Sequence, residues 1–125
     1  KVTVTLRKSY GGAHDVMSCK QLRGDFNYAW PTAQIAVMGA KGAIEVLYGK
    51  EVAAITDPEA KAKFIAEKEE EYNHAFANPY KAASYGYIDD VIEPRNTRFR
   101  VIRAFQSLQT KRVTNPMKKH SNIPL

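Results

Sequence analysis

Segments with the two-residue period of strands alternate with segments of helical spacing, and this order predicts an α/β fold. At least three strands and four helices can be placed along the 125 residues. The length is that of one ordinary domain, and a hydrophobic content of 44% is enough to build a core. The order of strands in the sheet does not follow from these patterns.

The first predicted unit is a strand, a turn and a helix. Apolar and polar residues alternate from residue 2 to residue 7, which indicates a strand with one buried face. Gly11 and Gly12 then predict a tight turn, and residues 14–20 contain no helix breaker. Backbone N–H groups at the start of such a helix have no intrahelical acceptor and point outward.

Two further strands are predicted in the middle of the chain, at residues 26–30 and 34–37. Pro31 separates them, because proline cannot donate to a ladder inside a central strand. Residues 38–43 are unusually small, and we interpret them as the packed start of a helix whose backbone lies close to a neighbour.

A long helix is predicted from Asp57, a good N-cap, and Pro58, which suits the first helical position. It has an apolar face and a charged face, and it is expected to stop at Asn78, before Pro79. The charged side is interpreted as a solvated or intersubunit face.

Shorter elements follow. Residues 79–84 predict a helix that ends at Gly86, and residues 87–92 predict a strand. Thr97 is expected to cap the last helix. We divide the chain into a structured part, residues 1–112, and an irregular tail, residues 113–125, which has no clear period.

Composition excludes several classes of protein. The net charge is +6, but the basic residues are scattered and not interleaved with aromatic residues, so we expect no nucleic-acid partner. No apolar run reaches the roughly 18 residues of a membrane span, so we expect no membrane partner. Cys19 is the only cysteine, which excludes an intrachain disulfide and a cysteine-rich metal site.

A search for acid/base, nucleophilic or metal-binding groups finds little. His14 and Asp15 are adjacent, and adjacent residues on a helix do not face each other. Ser9, Ser18 and Cys19 have no histidine at a spacing that indicates activation. No cluster of ligands predicts a metal site.

Four stretches, in order along the chain, resemble the carboxyltransferase subunit of the acyl-CoA carboxylases, and of the propionyl-CoA carboxylases in particular. They are residues 7–17 (RKSYGGAHDVM), residues 27–43 (NYAWPTAQIAVMGAKGA), residues 78–80 with 86–89 (NPY and GYID), and residues 118–125 (KKHSNIPL). The resemblance covers essentially the whole chain.

The resemblance implies a crotonase-like spiral of ββα units. The subunit of that family has two such domains, and residues 1–112 match only the later portion of the second. This agrees with the abrupt start of the chain at Lys1, and we expect a fragment of a longer protein. Half of the active site is then expected on the missing N-terminal domain, and the isolated chain is expected to be inactive.

The resemblance also implies the chemistry. Biotin, carried on a separate subunit or domain, delivers the carboxyl group, and its ureido nitrogen takes the α-proton of the acyl-CoA. The catalytic N–H groups that hold the biotin oxyanion map onto Gly12 and Ala13, and Gly11 joins them in binding biotin. Asp15 matches the position that sets the acyl size of the acceptor, while His14 departs from the tyrosine that the family commonly has there.

Each of these roles has a structural alternative. For the glycines, the alternative is that the turn requires them only for their dihedral angles. For Asp15, the alternative is that it complements the helix dipole as a first-turn acidic residue. Residues 38–43 either lie near biotin or the dimer partner, or only pack. Trp30 is interpreted as a core residue.

The resemblance therefore predicts transfer of a carboxyl group from carboxybiotin to propionyl-CoA, giving methylmalonyl-CoA. The expected partners are the acyl-CoA substrate, a biotin carboxyl carrier or biotin carboxylase subunit, and further copies of the subunit, as dimers within a hexamer. The expected location is the cytoplasm, or the mitochondrial matrix in a eukaryote. Two alternatives stay open: the carboxyltransferase subunit of a sodium-pumping methylmalonyl-CoA decarboxylase, and an inactive folding or assembly fragment.

Overall fold

A computed structural model of the protein describes residues 1–114 and residue 117. The strands are β1 (Val2–Thr5), β2 (Lys8–Tyr10), β3 (Phe26–Ala29), β4 (Gln34–Ala36) and β5 (Asp90–Val91). The helices are α1 (Gly11–Val16), α2 (Ala40–Leu47), α3 (Gly49–Ala54), α4 (Pro58–Ala75), α5 (Pro79–Ser84) and α6 (Thr97–Ser107). The predicted alternation of strands and helices is present. Residues 113, 114 and 117 have no regular structure, while the other residues of the predicted tail and the 118–125 stretch lie outside the described residues.

The strands form two parallel sheets. The larger has the order β1-β3-β5, and the smaller pairs β2 with β4. Tyr28 of β3 lies opposite Val4 of β1 on one side and opposite Asp90 of β5 on the other. Parallel neighbours need long crossover connections, and here helices and turns supply them.

The central strand β3 separates two small cores, because successive side chains of a strand point to opposite faces. Ala29 packs with residues of the first core, which are Ala33, Ile35, Ala82 and Ile88. Tyr28 packs in the second with Ile92 and Ala104. Helix α5 therefore covers one face of the sheet and α6 covers the other.

Capping confirms several predicted boundaries. The carboxylate of Asp57 accepts a hydrogen bond of 3.0 Å from the amide of Ala60, as an N-cap does. The side chain of Asn78 accepts one of 2.8 Å from the amide of Lys81 at the start of α5. Gly86, with φ of +75°, follows α5 in the left-handed conformation that favours glycine.

Other predictions were wrong. Thr97 does not cap α6; its hydroxyl accepts a hydrogen bond of 2.8 Å from the indole N–H of Trp30. Helix α3 was not predicted. The last strand, Asp90–Val91, is shorter than the predicted residues 87–92; just before it, the amide of Asp89 donates to the carbonyl of Asn27 and the carboxylate of Asp89 accepts from the amide of Asn27, both at 2.7 Å.

Asp25 ties three distant parts of the chain together. Its carboxylate pairs with the amino group of Lys1 at 2.5 Å and with the ammonium of Lys111. The hydrogen bond from Lys111 is the main reason that the pKa of Asp25 falls from 3.8 to about 2, and the bond from the terminal amine adds to it. The starts of β1 and β3 are thereby joined to the segment after α6.

Within the described part of the chain, no helix combines the length and the apolar character that crossing a membrane requires.

Candidate functional site

The bend between β2 and α1 is shaped by its first glycine. Gly11 has φ of +50°, and a Cβ at this position would lie 2.9 Å from the carbonyl oxygen of Val37. Both conditions favour glycine. Gly12 differs, because its φ is not positive and, apart from its chain neighbours and its own helix, no atom of the described residues lies within 4 Å of the place that a Cβ would take. The dihedral-angle alternative therefore explains Gly11 and not Gly12.

The amides of Gly12 and Ala13 lie in the first turn of α1. Among the hydrogen bonds that the described residues make, neither amide donates to the protein. The side chain of the N-cap residue, Tyr10, makes no capping hydrogen bond to the described helix, and Gly12 and Ala13 are exposed. These two N–H groups are free to bind an oxygen of a ligand, which the positive end of the helix favours when that oxygen is negative.

A cavity of about 590 Å³ opens at this bend, a size typical of small-molecule sites. The bend contributes Gly11, Gly12, His14 and Asp15 to its lining. Apolar and aromatic side chains from the helices line much of the rest, among them Leu47, Tyr72 and Phe76. The arrangement places main-chain donors beside a mainly apolar cavity.

One lining residue brings a positive charge. The Nζ atom of Lys81 lies 5.1 Å from the centroid of the Tyr85 ring, and both residues line the cavity. Lys81 takes part in none of the ion pairs found within the described residues. A cation on the wall favours ligands that carry negative charge.

His14 and Asp15 turn to different partners, as expected for helix neighbours. The Oγ atom of Ser9 lies 2.9 Å from Nδ1 of His14, and the thiol of Cys19 donates to Oδ1 of Asp15 at 3.4 Å. The inference that Ser9 has no histidine partner was wrong, because the bend folds residue 14 back onto β2. Ser9 is not part of the cavity lining, so its hydroxyl orients the imidazole and does not face the cavity.

The fold also assembles a cluster that the sequence did not reveal. One imidazole nitrogen of His14, one carboxylate oxygen of Asp15 and the Sγ atom of Cys19 all lie within 4.8 Å of one another. The expectation that the chain has no cluster of metal-ligand side chains was therefore wrong, because the fold brings these three together.

The structure brings the candidate site residues together. Gly11, Gly12 and Asp15 line the cavity, and Ala13 is exposed next to them. The first turn of α1 contains no acidic residue, so the alternative in which Asp15 complements the dipole from the first turn does not hold. The ligand-binding roles of these four residues stay predictions.

The small residues 38–43 pack as expected. A Cβ at Gly39 would lie 3.3 Å from the ring of Tyr10, which confirms the close approach of the backbone. The carbonyl of Met38 accepts a hydrogen bond of 3.2 Å from the hydroxyl of Tyr72. None of residues 38–43 lines the cavity, which favours the packing interpretation. Trp30 is half-buried against the core of Tyr28, Ile92 and Ala104.

The cavity wall formed by α4 and α5 was not predicted from any sequence pattern. Tyr72 and Phe76 have ordinary amphipathic spacing, which indicates only that one face of the helix is covered. No pattern links them to Gly12, since contact between such distant positions is created by the fold alone.

The chain thus combines a parallel α/β fold with free main-chain N–H groups beside a mainly apolar cavity. The family model for the carboxyl transferase domain matches residues 1–123, and the chain belongs to that family.

Two curated relatives show which members of the family the chain resembles. The chain is similar to the propionyl-CoA carboxylase beta chain of Cereibacter sphaeroides, with 60% identity over 125 residues, 100% of this chain and 23% of the relative. It is 50% identical over 125 residues to the methylmalonyl-CoA decarboxylase subunit alpha of Propionigenium modestum, covering 100% of this chain and 24% of that relative. The chain thus spans about a quarter of the length of these curated relatives.

A solved structure of transcarboxylase 12S, with methylmalonyl-coenzyme A and methylmalonic acid bound, has the same fold. The TM-score is 0.84 at 50% identity, and the match covers 100% of this chain and 24% of that chain. This likeness confirms the predicted α/β class and the crotonase-like fold of the carboxyltransferases.

Proposed function

We propose that this chain supplies the C-terminal half-site of the carboxyltransferase of a biotin-dependent acyl-CoA carboxylase. The proposed reaction moves the carboxyl group of carboxybiotin to propionyl-CoA and gives methylmalonyl-CoA. The observation that carries the proposal is that the amides of Gly12 and Ala13, at the edge of the cavity, donate no hydrogen bond to the described residues. The carboxylation of propionyl-CoA is favoured over the decarboxylase alternative because the chain is 60% identical to the propionyl-CoA carboxylase relative and 50% identical to the decarboxylase relative.

The bend suits the flat ring of biotin. The amides of Gly12 and Ala13 belong to exposed residues at the edge of the cavity, so a ring can approach them from the cavity side. When bound, biotin supplies the carboxyl group and a ureido nitrogen that accepts the α-proton of the acyl-CoA. The N–H groups of Gly12 and Ala13 would hold the ureido oxygen of bound biotin, and one preorganised donor to a developing negative charge is typically worth roughly 3 kcal/mol of barrier. Gly11 shapes the bend, and Lys81 adds positive charge to the wall.

A Gly12→Pro substitution in the full-length subunit tests this role. Proline removes the N–H but is tolerated in the first turn of a helix. We expect kcat for carboxyl transfer to fall on the order of 100-fold, because one donor to the oxyanion is lost. The matched control is Gly12→Ala, which keeps the donor and adds a methyl group where no protein atom lies within 4 Å.

The control variant is expected to lose less than about tenfold in kcat, since its oxyanion donor is intact. Far-UV circular dichroism would show that both variants keep their helices. Equal losses in the two variants, or full activity in Gly12→Pro, would contradict the role of the amide.

We propose that Asp15 sets the size of the acyl acceptor. Its carboxylate lines the cavity and is held by the thiol of Cys19. We expect Asp15→Ile to lower the ratio of kcat/KM for propionyl-CoA over acetyl-CoA by tenfold or more, because one methylene group in a pocket is worth about 1–3 kcal/mol. Asp15→Asn, which keeps the size of the side chain, controls for loss of charge. An unchanged ratio in Asp15→Ile would remove Asp15 from this role.

The whole protein is proposed to work in an assembly. Its partners would be an acyl-CoA substrate, a biotin carboxyl carrier or biotin carboxylase subunit, and further copies of itself, in the cytoplasm or the mitochondrial matrix. The solved transcarboxylase 12S relative is described as a hexamer in a multienzyme core, which supports oligomerisation. Because this chain spans a quarter of its relatives, we expect it to have no carboxyltransferase activity by itself.

A further inference from the structure

We propose that His14, Asp15 and Cys19 form a binding site for a thiophilic divalent cation, represented by Zn²⁺. Each residue offers one ligand atom, and the three atoms lie within 4.8 Å of one another. The contact between Sγ of Cys19 and Oδ1 of Asp15, at 3.4 Å, already has the separation of about 3.5 Å that two ligands of a tetrahedral zinc site have.

The type of ligand selects the type of ion. Imidazole nitrogen and thiolate sulfur favour Zn²⁺, whereas Mg²⁺ and Ca²⁺ prefer sites made of oxygen alone. A thiolate and a carboxylate together neutralise the charge of a divalent cation. Binding replaces the thiol proton of Cys19, which leaves for solvent.

The backbone holds Cys19 in position for this role. Ser18 adopts φ of +74°, and this turn brings Cys19 back toward α1. The amides of Ser18 and Cys19 donate to the carbonyl of Asp15, at 3.2 and 3.5 Å, and the amide of Gly24 donates to the carbonyl of Cys19 at 2.9 Å. The sulfur is therefore placed against Asp15 before any ion arrives.

The imidazole of His14 is also oriented in advance. Nδ1 of His14 lies 2.9 Å from the hydroxyl of Ser9, so we assign Nε2 as the nitrogen that binds the ion, and Ser9 then fixes the ring as an outer partner. His14 and Asp15 both line the cavity, while Cys19 is 1% exposed behind them. An ion would enter from the cavity, and its remaining coordination position would face the cavity. This inference does not depend on the proposed carboxyltransferase function.

Cobalt substitution tests the site in the full-length subunit that carries this chain. Co²⁺ bound to a thiolate gives a charge-transfer absorption band, which Zn²⁺ should abolish by displacing it. We expect the Cys19→Ser variant to lack the band that the unmodified subunit shows. In calorimetric titrations, Cys19→Ser and His14→Phe are each expected to bind Zn²⁺ at least about tenfold more weakly.

His74→Phe is the matched control, because His74 is an exposed histidine on α4, and its Zn²⁺ affinity should equal that of the unmodified subunit. Circular dichroism of each variant checks that the fold is kept, and His14→Phe provides a second test if Cys19→Ser does not fold. Zn²⁺ affinity that is unchanged in either ligand variant, or a cobalt band that survives in Cys19→Ser, would overturn the proposal.

Discussion

Strand β3 and helix α1 use their backbones in opposite ways. In β3, three of four residues are buried, and the strand is paired on both sides, with β1 and with β5. Helix α1 has no buried residue, and two of its amides donate to nothing in the described part of the protein. The backbone of β3 is thus used within the fold, whereas that of α1 is free for a ligand.

This difference predicts which substitutions change the stability of the fold and which change ligand binding. Substitutions around β3 remove contacts that exist before any ligand binds, so they should lower the free energy of unfolding. Substitutions at the exposed positions of α1, which do not include Gly11, should change ligand binding and leave unfolding nearly unaltered. The first prediction below tests that separation, and two more measure stability elsewhere in the chain, in order of decreasing expected effect.

The largest effect is expected from Ile92→Ala. Ile92 is 5% exposed and packs with Tyr28 of β3 and Ala104 of α6. Truncation of a buried isoleucine leaves a cavity, and we expect the free energy of unfolding to fall by about 2–5 kcal/mol. Urea denaturation of the chain, followed by circular dichroism, measures the change.

Val16→Ala on α1 is the comparison variant, because Val16 is 75% exposed. Its expected loss is below about 0.5 kcal/mol. A loss as large as that of Ile92→Ala would break the contrast between the two regions and show that α1 contributes to the stability of the chain.

An intermediate effect is expected at Asn78, which joins α4 to α5. Its amide nitrogen donates to the carbonyl of His74, and its oxygen accepts from the amide of Lys81, both at 2.8 Å. We expect Asn78→Ala to cost about 1 kcal/mol of unfolding free energy, measured by thermal and urea denaturation. Asn78→Asp keeps the acceptor for Lys81 and should retain most of the stability; if it matches Asn78→Ala, the cap is not the cause.

The smallest effect concerns pH. Because the folded pKa of Asp25 is about 2, below its ordinary 3.8, the ionised carboxylate adds stability that is fully present above pH 3.8 and is lost as pH falls toward 2. Lys111→Met should raise the pKa of Asp25 toward 3.8, so that this stability is lost at higher pH. The pKa is measured by NMR titration of the carboxyl carbon; an unchanged value would show that Lys111 does not hold the carboxylate.

Local chemistry allowed much of the fold to be predicted. Asp57-Pro58 and Asn78-Pro79 are each an N-cap followed by proline, and both helices begin where these pairs predict. Helix α3 has no such signal: its N-cap, Tyr48, makes no side-chain hydrogen bond. The role expected of Thr97 was wrong because a distant residue, Trp30, uses its hydroxyl.

The candidate site likewise has features that the sequence predicted and features that only the fold creates. Gly12, Ala13 and Asp15 were identified through a family resemblance carried by a continuous stretch of sequence. The contacts of Ser9 with His14 and of Cys19 with Asp15 depend on the path of the chain through the bend and the Ser18 turn. The wall from α4 and α5 depends on packing across the whole chain, which no short pattern encodes.

The parallel ladders also bear on how quickly the chain folds. Val2 must find Phe26, and Tyr28 must find Asp90, so no hairpin can nucleate either pairing. The chain must close long loops before these contacts can form, so we expect it to fold more slowly than a helical bundle of similar size. Since the chain passes through α2 to α5 between β3 and β5, the larger sheet depends on contacts between distant parts of the sequence.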